Sequence, residues 1–443
     1  MKRRITAGLL ACSMGILMAG CGAAGGTAGG TVAGGAAGGT AAGGTAGSAP
    51  EAPAEKTTIT IWSRDSTIEA TKAAAEKYNA RQDKVTVEVV QQVNTEIADQ
   101  FTLALSAGQA PDIISLDCTK VPYFASNGAY TDISDRFEKL DYKDQFSEGM
   151  LKSGMVDGKI YALPFSPDVS VLLYNKEHYR QAGLDPENPP KTWEELLDYS
   201  KKLTRDGHYG YVYAGGHAGA YMFTFMPYVW NNGGDFLSED GKHCLLNEKN
   251  AVEAVNMLVD MINVHKVTPP STITYSWGEA QDAFLTGQAS QIVLGSAAVY
   301  NFVNGSSGMD WGACLIPKGP NGESYASFSG GDSIGITSQC KNVDAAWDFI
   351  EYALSDEVQV EALAKGGCLP ARKDFFDNEY FNTTPQYRVL RDALDVSYTP
   401  YSLKYDEMYT PILENMQKCL NQEITAQEAV EVIAERIDAI MAE

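Results

Sequence analysis

Thr58-Ile59-Thr60-Ile61-Trp62 alternates apolar and polar residues as a half-buried strand does, and the sixty residues it opens decide the fold class. Ser66 followed by Glu69 has the spacing of a capping box and predicts a helix through about Asn79. Val85-Thr86-Val87-Glu88-Val89 reads as a second strand. Glu96 to Ala107 reads as a helix stopped at Gly108, and Ile113-Ile114-Ser115-Leu116 as a buried third strand. Strands alternating with helices predict an α/β protein built on a mostly parallel, doubly wound sheet.

Further along, Tyr161–Phe165 leads into a long extended run over Val169–Tyr174. Thr192 with Glu195 marks another helix start, with Leu196, Tyr199 and Leu203 on one face. Helices are predicted over Ala251–Val264 and Asp344–Leu354, and an apolar strand over Gln291–Gly295. Thr425 with Glu428 caps a last helix whose face carries Val430, Ile433, Ile437, Ile440 and Met441.

Before this body stands a different kind of sequence. Lys2-Arg3-Arg4 precedes a short apolar run ending at Cys21, the layout of a secretory signal rather than of a membrane span. Leu17-Met18-Ala19-Gly20-Cys21 resembles the lipobox of bacterial lipoproteins, with Met18 where leucine is usual. The resemblance implies removal of 1–20 and lipidation of Cys21 with acyl chains including palmitate. Such an anchor puts the protein on the extracytoplasmic face of the cell membrane. Residues 21–56 are largely Gly, Ala and Thr and predict a flexible tether with a typical reach of about 30–35 Å.

The formal charge is −23, and loss of the three basic signal residues makes the remainder more acidic still. That balance disfavours nucleic acid and anionic head groups and says little about neutral ligands. Beyond Cys12 and Cys21, Cys118, Cys244, Cys314, Cys340, Cys368 and Cys419 are scattered, without C-x-x-C or a Cys/His cluster, so no bridges and no metal site are predicted. No cofactor motif is present.

The ordered set Ala107-Gly108-Gln109-Ala110-Pro111-Asp112, Asp157-Gly158-Lys159-Ile160-Tyr161-Ala162-Leu163-Pro164, Leu173-Tyr174-Asn175-Lys176, Pro190-Lys191-Thr192-Trp193-Glu194-Glu195, Phe284-Leu285-Thr286-Gly287 and Gly330-Gly331-Asp332-Ser333 resembles the extracellular solute-binding proteins of ABC importers. The carbohydrate group typified by maltose-binding protein is the nearest in pattern, over essentially the whole chain after the tether. The resemblance implies a periplasmic-binding-protein-like fold: two doubly wound α/β lobes, a multi-segment hinge and a ligand cleft between them. Lobe one would combine 57–168 with 334–372, and lobe two 171–328 with 375–443. Hinges would fall near Ser166–Val171, Phe328–Ile334 and Arg372–Phe375. The implied partners are a small carbohydrate and the permease subunits of an ABC transporter, with the binding protein itself a monomer.

Ligands of open α/β sheets bind beyond the carboxyl ends of strands. Three such ends give Ser63, Arg64 and Asp65, then Asp117, then Ser296. By resemblance, Asp168 matches a carboxylate position that binds sugar. Carboxylates and a guanidinium can each engage two neighbouring hydroxyls, and aromatic faces suit the apolar side of a sugar ring. Tyr221, Trp230 and Trp277 are the aromatic candidates, and Gly331 and Asp332 are added from the hinge. Leu116 and Ala297 replace aromatic positions of the maltose-binding pattern, which points to a different or shorter glycan.

Other readings stay open at this level. A polyamine, peptide or metal chelate would suit acidic strand ends, and a glycosidase needs only two carboxylates. Gly331-Asp332-Ser333-Ile334-Gly335 matches G-x-S-x-G, but no histidine follows Ser333, so a glycine-rich hinge explains it better than a hydrolase elbow. The expectation is a binding protein and not an enzyme.

Overall fold

Three parallel strands, β1 (Thr57–Arg64), β2 (Val85–Gln92) and β3 (Ile113–Asp117), open the body in the order β2-β1-β3. The computed structural model describes residues 56–205, 207–238, 241–305 and 308–443; the signal, Cys21 and the tether lie outside them. Alternation along these strands covers both faces. Ile59, Ile61 and Ile113 enter one core with Tyr78, Phe349 and Ile350, while Ile114 and Leu116 enter another with Ile97, Phe101 and Phe124. The flanking helices are α1 (Ile68–Arg81) and α2 (Ile97–Ala107), the latter ending on Gly108 at φ 68°.

The capping expectation at Ser66 is corrected. Helix α1 starts at Ile68 after Thr67, and neither hydroxyl caps it. Ser66 donates to Asn94 (3.1 Å) and Thr67 to Asp332 (2.7 Å), long-range partners that outcompete the local turn. Thr425 and Glu428 do form the reciprocal box, as do Ser276 and Glu279.

Beyond this end the sheet is mostly antiparallel. After a hairpin of β4 (Met155–Val156) and β5 (Lys159–Ile160), the long β6 (Ala162–Asn175) runs antiparallel to β7 (Gln291–Gly295), β8 (Trp311–Cys314) and β9 (Ser327–Ile336), and β9 is antiparallel to β3. A short β10 (Ser397–Tyr398) pairs with the start of β9. The expected mostly parallel sheet is thus mixed, because β6 and β9 cross in opposite directions between two bodies. The first half of β6 pairs with β9; its second half, from Ser170, pairs with β7 and β8.

The cores follow this crossing. The two N-terminal cores take residues from 59 to 165 and from 334 to 371. The third takes residues from 169 to 328 and from 364 to 437, with Ala364 and Leu369 interleaved into the other segment. Gly331 enables the crossing: its φ is 95°, and a Cβ there would lie 2.2 Å from the Ser166 carbonyl oxygen. The third predicted hinge segment holds Arg372 between the Tyr142 and Phe375 rings (3.8 and 4.0 Å to their centroids) and paired with Asp374. No described helix is long and apolar enough to cross a membrane.

Candidate functional site

β1 and β3 run parallel, so their carboxyl ends bring Arg64 and Asp117 to one edge. Arg64 Nη1 donates to Asp117 Oδ2 (2.9 Å) and Nε to Asp332 Oδ1 (2.7 Å), and Nη2 also pairs with Asp332. Asp117 Oδ1 accepts from the Thr119 N–H (3.0 Å) and hydroxyl (2.7 Å). Burial alone would lower the Arg64 pKa; Asp332 and then Asp117 outweigh it and hold the guanidinium above its ordinary value. Burial likewise opposes the Asp117 charge, but Arg64 and then Thr119 hold its carboxyl below the usual value.

The C-terminal body faces this edge with the segment that follows β10. Asp406 pairs with Lys120, and Tyr405 and Tyr409 stand edge to face, 5.5 Å apart. Burial, then the Asp117 carboxylate, push the Tyr409 phenol up. A cavity of about 320 Å3 lies at this seam, lined among others by Thr119, Lys120, Tyr123, Tyr405 and Asp406. Its size is that of a small-ligand pocket. Sequence reasoning missed Tyr405, because the stretch from Ser397 to Met408 has no helical or strand period, and Tyr409, because it opens the amphipathic helix Tyr409–Leu420 and reads as core; the tyrosine density there is the one available signal.

Asp168 sits where β6 leaves β9, and its Oδ1 accepts from the Ser296 N–H (2.6 Å) and hydroxyl (2.5 Å), capping the helix Ser296–Asn304. Burial raises its pKa, partly offset by Ser296 and by the nearby charge of Arg64. Arg64, Asp117, Asp168 and Ser296 are thus linked through contacts or charge.

Several candidates are internal instead. Ser63 is fully buried and bonds Thr71 (2.7 Å). Asp332 is fully buried; its Oδ2 accepts from Thr67 and Ser115 (2.7 and 2.9 Å) and its Oδ1 takes Arg64, so its acceptor sites are filled. It positions Arg64 rather than facing a ligand. Tyr221 is 1% exposed, and its hydroxyl donates to the Gly215 carbonyl (2.9 Å), which makes it a core residue and corrects its reading as a platform. Gly331 is buried against β6, and Asp65 is exposed.

The aromatic candidates fall on one row. Trp277 lies 5.9 Å from Phe223, Phe223 5.2 Å from Phe328, and Phe328 6.1 Å from Trp230. Trp277 and Trp230 therefore stand at opposite ends, with two phenylalanines between. Trp277 and Phe223 are half-buried, and His217 packs at 5.9 Å from Trp277.

No cluster among the described residues has the ligands for a metal, and the six cysteines from Cys118 to Cys419 are free thiols. Ser333 is fully buried and its hydroxyl has no hydrogen-bond partner, which removes it from any nucleophile role.

Two α/β lobes with separate cores, joined by antiparallel crossing strands and meeting at a cavity, define the periplasmic-binding-protein fold. Residues 64–360 match the model of the bacterial extracellular solute-binding protein family, and the chain belongs to that family. Among its relatives is the galactooligosaccharide-binding protein of Bacillus subtilis (strain 168), 22% identical over 396 residues that cover 88% of this chain and 90% of that one. Solved structures with the same fold include an ABC transporter solute-binding protein from Thermotoga lettingae TMO bound with α-D-tagatose (24% identity, TM-score 0.78, covering 87% of this chain and 100% of that one). The maltose-bound MalE3 of T. maritima is similar at 27% identity and a TM-score of 0.76, again over 87% and 100% of the two chains.

Proposed function

We propose that this chain captures a sugar or oligosaccharide between its two lobes by closure, and presents it to the permease of an ABC importer. The observation that carries the reading is the convergence on one seam of a guanidinium–carboxylate pair with Thr119 from one lobe and two phenol rings from the other. Arg64 and Asp117 offer forked donors and acceptors for adjacent hydroxyls, and the half-buried Tyr409 ring, backed by the buried Tyr405, offers a face for the sugar's apolar side. Asp168, at the crossing strand and bonded to Ser296 of lobe two, and Trp277 of lobe two extend the site. The Lys120–Asp406 pair joins the two sides of the seam and would favour the closed arrangement.

Lobe boundaries at 57–168 plus 334–372 and 171–328 plus 375–443 are supported by the division of the cores. The carbohydrate ligands named for relatives, namely galactooligosaccharide, tagatose and maltose, support the ligand class. The same family membership supports a carrier without catalysis. In this reading the lipid on Cys21 and the tether hold a monomeric carrier at high effective concentration near its permease.

A thermal-shift panel of mono- and oligosaccharides, polyamines and peptides tests the ligand class. Stabilisation by at least one saccharide is expected. Stabilisation by an amine or peptide with none by any saccharide would end the sugar reading.

A further inference from the structure

Trp230 marks the far end of the aromatic row, and what surrounds it has the form of a second site. Its indole is 9% exposed and fixed by Nε1 donating to Asp235 Oδ1 (2.9 Å), which also accepts from the Phe236 N–H (2.7 Å). Tyr398 stacks on that indole, 5.4 Å between centroids at 27°, yet is itself 50% exposed. One ring thus supports another whose remaining surface is open, and Phe328 backs the pair. An exposed tyrosine held flat by a buried tryptophan is pre-organised, because its rotamer entropy is already lost before any ligand arrives.

The two rings line a cavity of about 620 Å3 with Asp235, Thr399, Tyr401 and Lys152. Lys152 comes from the helix Glu148–Ser153, whose Leu151 packs against the N-terminal core, and its ammonium lies 5.7 Å from the Tyr401 ring. Tyr401 donates to the Met155 carbonyl (3.1 Å). The cavity is therefore built from both lobes and is lined by different residues from the seam that holds Tyr405 and Tyr409.

We infer that this cavity is a second saccharide site, with the Tyr398 ring as its platform and Asp235 and Lys152 as its polar contacts. The chemistry selects the class. An open aromatic face takes the C–H side of a sugar ring. Asp235 Oδ2 has no hydrogen-bond partner among the described residues and can accept from a hydroxyl, while the lysine donates to another. A cationic ligand would meet Lys152, and an anionic one Asp235. The inference rests on the sugar reading of the main cleft.

Calorimetric titration of the mature full chain with maltotriose, galactotriose, arabinotriose and diacetylchitobiose tests it. Two binding events are expected for at least one of them. Tyr398→Ala should weaken one event about tenfold or more and leave the other within about twofold, whereas Tyr398→Phe keeps both. Asp168→Ala should weaken the event that Tyr398→Ala spares. One event that Tyr398→Ala leaves unchanged would overturn the second site and keep the cleft reading. Loss of both events in Tyr398→Ala with recovery in Tyr398→Phe would make the two one site and overturn it as well. No event with any saccharide would overturn the cleft reading and this inference together.

Discussion

Replacing Arg64 by methionine removes the cation that faces the wholly buried Asp332 carboxylate. Arg64 is 13% exposed and Asp332 0%. Asp332 keeps the Thr67 and Ser115 hydroxyls, but its Oδ1 loses both guanidinium bonds. Breaking a buried pair from one side leaves an uncompensated charge and costs about 3–5 kcal/mol. In a body of this size each kcal/mol moves the melting temperature by about 1–2 °C, so a fall of roughly 3–10 °C is expected by calorimetry or circular dichroism. Arg64→Lys should recover little, because a point ammonium cannot reach Asp332 and Asp117 in the same fork. Adding Asp332→Asn to Arg64→Met removes the stranded charge and should return part of the loss, a coupling that a double-mutant cycle reads directly. A loss below about 1 kcal/mol, or no recovery in the double variant, would refute the view that Asp332 exists to hold Arg64.

Three further outcomes follow from other parts of the molecule. Asp168 has a folded pKa raised by burial, so the folded state favours its protonated form. Wild-type stability should therefore fall, relative to Asp168→Asn, as pH rises from below the ordinary carboxylate value through the raised one; a variant that loses ground over melting curves from pH 3 to 7 would contradict this. Gly331→Ala forces a Cβ against the Ser166 carbonyl at a positive φ and should cost more than about 2 kcal/mol, read by denaturant unfolding. Tyr221→Phe should cost about 1 kcal/mol and leave ligand affinity unchanged, since its hydroxyl serves Gly215; altered affinity would return it to the site.

Much of the fold was legible because its signals are local. The alternation at Ile59 and Ile61, the glycine after α2 and the Thr425–Glu428 box each depend on neighbours within a few positions. The mixed sheet was not, because pairing of Ala162 with Gly335 is set by how the chain crosses between lobes. The same holds for the site. Strand ends pointed to Arg64 and Asp117, but nothing near Thr67 in sequence says that its hydroxyl goes to a residue 265 positions away. Asp332 and Tyr221 look like surface-capable polar side chains until their partners are known. Tyr405 lacks any period that would mark it, and the helical spacing of Tyr409 with Ile412, Leu413 and Met416 reads as core packing.

A saccharide held between the lobes should draw them together. Small-angle X-ray scattering of the mature chain, with and without the saccharide that most raises its melting temperature, tests both halves at once. A smaller radius of gyration is expected with ligand in the wild type, and at the same saccharide concentration a reduced change in Asp168→Ala. An unchanged radius at saturating saccharide would contradict closure, and an equal change in Asp168→Ala would remove that carboxylate from the site.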